Sequence, residues 1–303
     1  MILIFTTKYD FSTNEIIDYL INKNCNFVRI NEDDLFEIVE LNDKIIIKSG
    51  SIYIDFDSVK AVWYRKSSLQ LKKMKLLNKS LENFINEENG ILTEFLLFKL
   101  KKKINLGSYS GNKVNKLIVN ELAKKYGLNT PQSFFSNSKK FKADKKFITK
   151  PINENSIVEI DELSFYKLLT NIPNEVNTEF AISYFQEKIN KKYEIRTFYL
   201  NGKTYSMAIF SQKNLKTNLD FRNYDSENPN RTVPFQLPED IDLKINKLMN
   251  SLSLNTGSID ILVDNFGIYY FLEVNPVGQF GMVSYPCNYN LEEKISDYLI
   301  YGK

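Results

Sequence analysis

Near its C-terminus the chain carries two runs rich in Ile, Val, Tyr and Phe, Ser258 to Asp264 and Ile268 to Asn275, parted by Asn265-Phe266-Gly267. Such runs around a glycine turn read as a β-hairpin, and a hairpin puts alternate side chains on opposite faces. Glu273 and Asn275, two residues apart on the second strand, therefore share a face. Asp260 stands on the first strand about as far from the turn as Glu273. A two-residue loop at Phe266-Gly267 sets Asp260 opposite Glu273; a longer loop shifts the register by one. Either way, two carboxylates and an amide converge on one patch, and Pro276 stops the strand. Ligands of this kind suit Mg²⁺, which takes one or two carboxylates and fills its shell with water and substrate phosphates. The competing account is a strand whose polar side chains face solvent. The third oxygen group and the apolar opposite face favour the metal.

At 303 residues the chain can build two or three subdomains around a substantial core. Its 43% apolar and 25% charged residues are ordinary for a soluble protein. No apolar run approaches the roughly 18 residues that span a bilayer, so no membrane partner is expected. Met1-Ile-Leu-Ile-Phe5 lacks a basic flank and a cleavage site and reads as a buried first strand, not a signal peptide. Cys25 and Cys287 are too few for a disulfide framework, and a cytoplasmic location is expected. The net charge of +3 does not by itself call for nucleic acid. The chain has no histidine, which excludes Ser-His-Asp and Cys-His chemistry, His-ligated zinc and His acid–base catalysis. Catalysis here must use carboxylates, Lys, Arg, Tyr or a bound metal.

Strand–helix–strand order over the first ~65 residues predicts a small, partly parallel sheet. Its parts are a strand at Ile2–Thr6, a helix opened by a Ser12-x-x-Glu15 capping box, and strands at Phe27–Ile30 and Val59–Tyr64. Ile45–Ile47 and Ile52–Ile54 form a hairpin around Ser49-Gly50. From Leu69 to Leu106 the pattern is helical and basic, either a solvated face or a docking surface for an acidic partner. Aromatic residues do not alternate with these lysines, so nucleic acid is not expected. A helix over 115–127 ends at Gly127, and Phe147 to Pro151 is a strand. A two-turn helix fits Glu162–Leu169. Strands follow at Ala181–Glu187, Tyr193–Leu200 and Thr204–Phe210, then a polar loop over Ser211–Pro238 and a helix over Glu239–Leu252.

Several of these elements carry residues with chemistry. Lys150 ends an apolar strand just before Pro151, as an edge lysine or as a ligand for anions. Tyr184-Phe-Gln186-Glu187-Lys188-Ile189 is a strand running into a polar connection, where backbone and one carboxylate can hydrogen-bond adenine. Glu194 and Arg196 share one face of the next strand. There a carboxylate can accept from ribose hydroxyls and a guanidinium can grip phosphate, or the two can form a structural salt bridge.

Taken in order, these residues resemble the ATP-grasp enzymes: a Lys before a helix, a Lys on a strand, Gln186-Glu187, Glu194, then Asp260 and Phe271-Leu-Glu273-Val-Asn275-Pro276. Further motifs resemble the graspetide synthetases, the microviridin-type peptide macrocyclases. They are Trp63-Tyr64-Arg65, Asp220-Phe-Arg222, Arg231 with Pro234-Phe235 and Leu237-Pro238, and Asn275-Pro-Val-Gly278-Gln279-Phe280. The resemblance implies an α+β ATP-grasp fold with an N-terminal α/β pre-ATP-grasp domain and two α+β subdomains clasping ATP. The expected divisions are 1–110, 111–185 and 186–303.

It implies that Lys116 and Lys150 contact the phosphates of ATP, that Glu187 and the Ile189 backbone hold adenine, and that Glu194 holds ribose. Arg196 would stabilise the transferred phosphoryl group, and Asp260, Glu273 and Asn275 would bind two Mg²⁺. Arg222, with Arg231 as a second candidate, would orient a peptide carboxylate, and Asp220 would assist the nucleophile or orient Arg222. An exposed ion pair on a loop is the bland account of Asp220 and Arg222. The partner implied is a precursor peptide with a leader segment, and a homo-oligomer stays open. Two rivals stand: a general ATP-grasp carboxylate–amine ligase, and a non-catalytic nucleotide- or peptide-binding module. The chain departs from many ATP-grasp enzymes at Ile152–Ile160, which has no glycine for a loop over the triphosphate; Asn153 and Ser156 are the candidate donors there.

Overall fold

The computed structural model describes residues 1–110, 113–137, 146–152, 157–161, 164–167, 170–173, 180–212, 214, 217, 219, 223 and 225–303. The N-terminal strand–helix–strand pattern closes as expected. β1 (Ile2–Phe5), α1 (Phe11–Asn22) and β2 (Phe27–Ile30) are followed by a three-stranded antiparallel sheet of β3 (Glu37–Leu41), β4 (Ile45–Ser49) and β5 (Ile52–Asp55). β6 (Ala61–Tyr64), α2 (Lys79–Leu100) and β7 (Ile104–Leu106) complete a parallel sheet of order β2-β1-β6-β7. Alternation along β6 explains its burial on both sides. Ala61 and Trp63 pack with Ile16 and Leu20 of α1, while Val62 and Tyr64 pack with Leu96, Leu97 and Leu100 of α2.

Two local readings change here. The α1 cap is Asp10, not the Ser12 box, and its carboxylate accepts from Thr6, Thr13 and Arg65 instead of from backbone amides. The helical pattern of Leu69–Leu106 holds only for α2, capped by Asn78 accepting from Leu81 N. The segment before it is extended, with Leu71 bridged to Phe36.

Next come α3 (Lys116–Lys125), β8 (Ser133–Ser136), β9 (Phe147–Thr149), β10 (Ile157–Asp161), β11 (Ser164–Lys167) and β12 (Ser183–Glu187). Asn115 caps α3 by accepting from the Leu117 and Ile118 amides. β12 runs antiparallel between β8 and β9, with Phe134 stacked on Phe185. Within the helix expected over 162–169, residues 164–167 instead pair as an antiparallel strand with 157–161. Ser164-Phe-Tyr-Lys is short and aromatic, and such runs fit a strand as well as a helix until a partner decides.

The last part is a five-stranded antiparallel sheet of order β15-β14-β13-β16-β17. It comprises β13 (Lys191–Leu200), β14 (Lys203–Phe210), β15 (Arg231–Phe235), β16 (Thr256–Asp264) and β17 (Tyr269–Asn275). α4 (Glu239–Ser251) precedes β16, and α5 (Gly281–Cys287) and α6 (Leu291–Tyr301) follow β17. β15 lies inside the stretch expected to be loop. As the sheet's edge it tolerates Pro234, which a central strand would not. Ile195, Ile259, Ile261, Phe271 and Val274 face α3 and α4, contributing about 1.5–3 kcal/mol per fully buried side chain. Among the described residues no helix is long and apolar enough to cross a membrane.

Candidate active site

The site begins where the apolar cover of the large sheet stops. Phe198 and Leu200 of β13 point into a core with Val283 of α5 and Ile295 and Leu299 of α6. Two and four residues earlier on the same face, Arg196 and Glu194 are charged and nine-tenths buried. Opposite them stands the β8-β12-β9 sheet. Between the sheets lies a cleft open to solvent, lined by Ile148, Lys150, Gln186, Glu187, Ile189, Lys191, Glu194, Asp260, Leu272 and Glu273 among others.

The β16–β17 register brings Asp260 opposite Glu273 by an indirect route. Asp264 N donates to Ile268 O, so the connection is longer than two residues. Alone, this would place Asp260 opposite Leu272. A bulge follows: Ile261 pairs with Phe271 while Asp260 pairs with Glu273, leaving Leu272 as the extra residue. Phe271 and Val274 consequently face the same helices although three positions apart. Bulges of this kind re-aim side chains beside active sites. Asp264 serves the turn itself, its carboxylate accepting from the Phe266 and Ile268 amides.

Across three strands and into α3 the charges form a row: Arg196, Asp260, Glu273, Lys116. Arg196 Nη1 lies 2.6 Å from Asp260 Oδ1, and Lys116 Nζ lies 3.1 Å from Glu273 Oε2. Carboxylates directly opposite on neighbouring strands repel, and each here has its own cation. Asn275 pairs with Ser258 at the end of the row and is not among the cleft-lining residues; its Oδ1 accepts from Val277 N at 3.0 Å. Neither do Lys116 and Arg196 line the cleft, although each grips an acid that does. Arg196 Nε is buried without a partner.

Glu187 Oε2 accepts from Gln132 N at 3.4 Å, and the Ile189 carbonyl accepts from Lys191 N. Glu194 is bonded to Lys191 and Ser211, each at 2.7 Å. Burial pushes the Glu194 carboxyl above its ordinary pKa, against the opposing Lys191 charge and the Ser211 hydrogen bond. Lys191 was not legible as a site residue. Regular alternation would put Lys192 on the Glu194 face, but a bulge between Lys191 and Tyr193 substitutes Lys191. Arg231 stands apart, at the start of β15 with its guanidinium 5.8 Å from the Phe210 ring centre. It lines an adjoining groove that shares Lys191 with the cleft. Asp220, Arg222, Asn153 and Ser156 lie outside the described residues.

The donor set of Asp260, Glu273 and Asn275 is oxygen-only and fits Mg²⁺. Among the described residues no group of three His, Cys, Asp or Glu side chains gathers. With Lys150 and Lys191 on its walls, the cleft suits a polyanion carrying a hard cation.

Residues 1–113 match the family described as the MvdD pre-ATP grasp domain. Over the full chain the fold is similar to macrocyclase MdnC of Microcystis aeruginosa, solved with its precursor peptide MdnA. Identity is 23%, the TM-score is 0.77, and all of both chains is covered. The chain is also similar to a RiPP-associated ATP-grasp ligase of Chryseobacterium gregarium, solved with ADP and a leader and core peptide. There identity is 24% and the TM-score 0.78, covering 100% of this chain and 97% of that one. ATP-grasp ligase PsnB, solved with a phosphomimetic variant of its minimal precursor, Mg and ADP, matches at 14% identity and TM-score 0.68. That likeness covers 99% of this chain and 97% of PsnB. A search of curated proteins finds no match. The fold is therefore ATP-grasp, preceded by a pre-ATP-grasp domain.

Proposed function

We propose that this protein is an ATP-dependent ligase that phosphorylates Asp or Glu side chains of a ribosomal precursor peptide and closes rings onto Ser, Thr or Lys. The observation that carries this reading is the cleft itself. It gathers Lys150, Glu187 and the Asp260–Glu273 pair from two separate sheets, on a fold shared end to end with peptide-bound ligases.

A carboxylate does not acylate an alcohol or amine at neutral pH, because its oxygen is a poor leaving group. Transfer of a γ-phosphoryl group gives an acyl phosphate, which a nearby hydroxyl or amine attacks with loss of phosphate. That chemistry needs positioning and charge neutralisation more than covalent help, so the lack of histidine is no handicap. Glu187 and the Ile189 backbone hold adenine, Glu194 the ribose, and Lys116 and Lys150 the phosphates. Arg196, which grips Asp260 of the cleft wall, stabilises the transferred group. Asp260, Glu273 and Asn275 hold Mg²⁺, two ions in this reading, which supply neutralisation of the phosphate charge. Arg222, with Arg231 behind it, orients the peptide carboxylate, and Asp220 assists the nucleophile. A leader segment docks away from the cleft and raises the effective concentration of the core. The three parts are 1–110, 111–185 and 186–303, and the enzyme works in the cytoplasm.

The test is incubation with ATP, Mg²⁺ and any short peptide rich in Thr, Glu, Asp or Lys found encoded beside the protein, read by mass spectrometry and nucleotide analysis. Each ring should cost the peptide one water, with ADP and phosphate released. A mass gain equal to one amino-acid residue, the amino acid less water, would indicate the general ligase, and release of AMP would contradict the acyl phosphate. Arg222→Ala should abolish ring formation while ATP affinity stays within about twofold, and Arg222→Lys should also be impaired because a bidentate grip becomes a point charge.

A further inference from the structure

Arg65, the last residue of the Trp63-Tyr64-Arg65 motif, is 4% exposed and belongs to the N-terminal domain, yet it is bonded to the turn that follows the metal strand. Its Nη1 donates to Val277 O at 2.6 Å and to Gly278 O at 3.1 Å. On its other side Nε donates to Asp10 Oδ2 at 3.0 Å, and Asp10 is itself held by Thr6 and Thr13. The guanidinium lies 5.5 Å from the Phe280 ring centre, and Trp63 packs against the same ring.

The turn that Arg65 grips closes on Asn275. Val277 N donates to Asn275 Oδ1 at 3.0 Å, and Gly278 N donates to Asn275 O at 3.1 Å. Its far side is equally constrained: a Cβ on Gly278 would lie 2.3 Å from Ser258 Cβ, so β16 presses directly on the turn. An amide side chain has two orientations, and only the one with oxygen toward the cation can ligate. The Val277 amide holds the Asn275 oxygen, and Arg65 holds the carbonyl of the same residue, Val277, and that of Gly278 after it.

We infer that Arg65 is a positioning residue for the metal site, holding the 275–278 turn so that Asn275 presents its oxygen in one fixed orientation. The inference rests on the reading of Asn275 as a Mg²⁺ ligand. It also gives the N-terminal domain a role in the chemistry, because the Asp10–Arg65 anchor and the metal strand come from opposite ends of the chain.

The experiment is calorimetric titration of Mg²⁺ into the full-length protein saturated with ADP, for wild type, Arg65→Lys and Asp10→Asn, each checked by thermal melting. Lys keeps the charge but cannot span Asp10 and two carbonyls. Arg65→Lys should weaken Mg²⁺ about tenfold, as removal of outer-sphere partners does, and Asp10→Asn should weaken it in the same direction. Affinity for ADP without metal should stay unchanged, and excess Mg²⁺ should restore turnover. Gln279→Ala cuts the surface hydrogen bond from Ser12 that also joins these regions, and should leave Mg²⁺ affinity untouched. If the Arg65 and Asp10 variants melt lower but bind Mg²⁺ as wild type does, Arg65 is purely structural and the inference fails. Absence of ADP-dependent Mg²⁺ binding by wild type would instead overturn the ligase reading beneath it.

Discussion

Glu273 and Asp260 are not equivalent targets. Glu273 is paired with Lys116 at the cleft, both side chains about 15% exposed, so Glu273→Gln should leave the fold nearly intact. Its turnover should fall at least about a hundredfold, the scale of losing one preorganised charge. Asp260 is tied to buried Arg196. Asp260→Asn leaves that guanidinium without a counter-charge and should cost about 3 kcal/mol of stability in addition to activity. Urea unfolding and steady-state turnover of both variants check the distinction, and equal stability loss in the two would contradict it. Asp10 offers a pH test. Burial alone would raise its pKa, but Arg65 and Lys66, with the Thr13 and Thr6 hydroxyls, outweigh it and hold the carboxyl below its ordinary 3.8. A depressed folded-state pKa stabilises above the unfolded value and is lost as pH falls through the folded one. The stability gap between wild type and Asp10→Asn should therefore be constant from pH 7 to about 5 and shrink below pH 4.

At the scale of elements, the site depends on two bulges and one close approach. Deleting Leu272, the extra residue of the bulge, would restore regular alternation in β17 and keep Glu273 opposite Asp260. Near-native stability and turnover should both survive, which melting and steady-state assays can follow; loss of turnover with the fold intact would mean that the bulge, and not the pairing alone, aims Glu273. Gly278→Ala adds a methyl against Ser258 and should cost about 1–3 kcal/mol, the usual penalty of overpacking. Ser258→Gly in the same chain should recover most of that loss. Failure of the second substitution to recover stability would mean that the clash lies elsewhere.

At the scale of the whole molecule, a nucleotide in the cleft would touch residues of both sheets that line it. A ligand bound to the folded state alone stabilises it by about 2.7 kcal/mol at a hundred times its Kd. ADP with Mg²⁺ should therefore raise the melting temperature more than ADP alone, and the Mg²⁺-dependent increment should be absent in Glu273→Gln. An undiminished increment in that variant would remove Glu273 from the metal site.

Periodicity alone was enough for the N-terminal parallel sheet, the strands expected over 181–187, 193–200 and 204–210, and the hairpin bearing Asp260, Glu273 and Asn275. In these segments alternation and turn residues act locally and agree with the final packing. Local rules misassigned 164–167, because Ser-Phe-Tyr-Lys takes whichever partner is offered, and they missed β15, which among the described residues pairs with β14 alone. The bulges at Leu272 and Lys192 were also illegible, since an inserted residue leaves composition and hydrophobicity unchanged and is fixed only by the facing strand. The grip of Arg65 on the 275–278 turn belongs to the same class. Sequence could nominate the oxygen ligands because ligand chemistry is a property of side chains. Only the tertiary structure could decide which cation faces which acid, because strand register and chain ends meet through packing over long sequence distances.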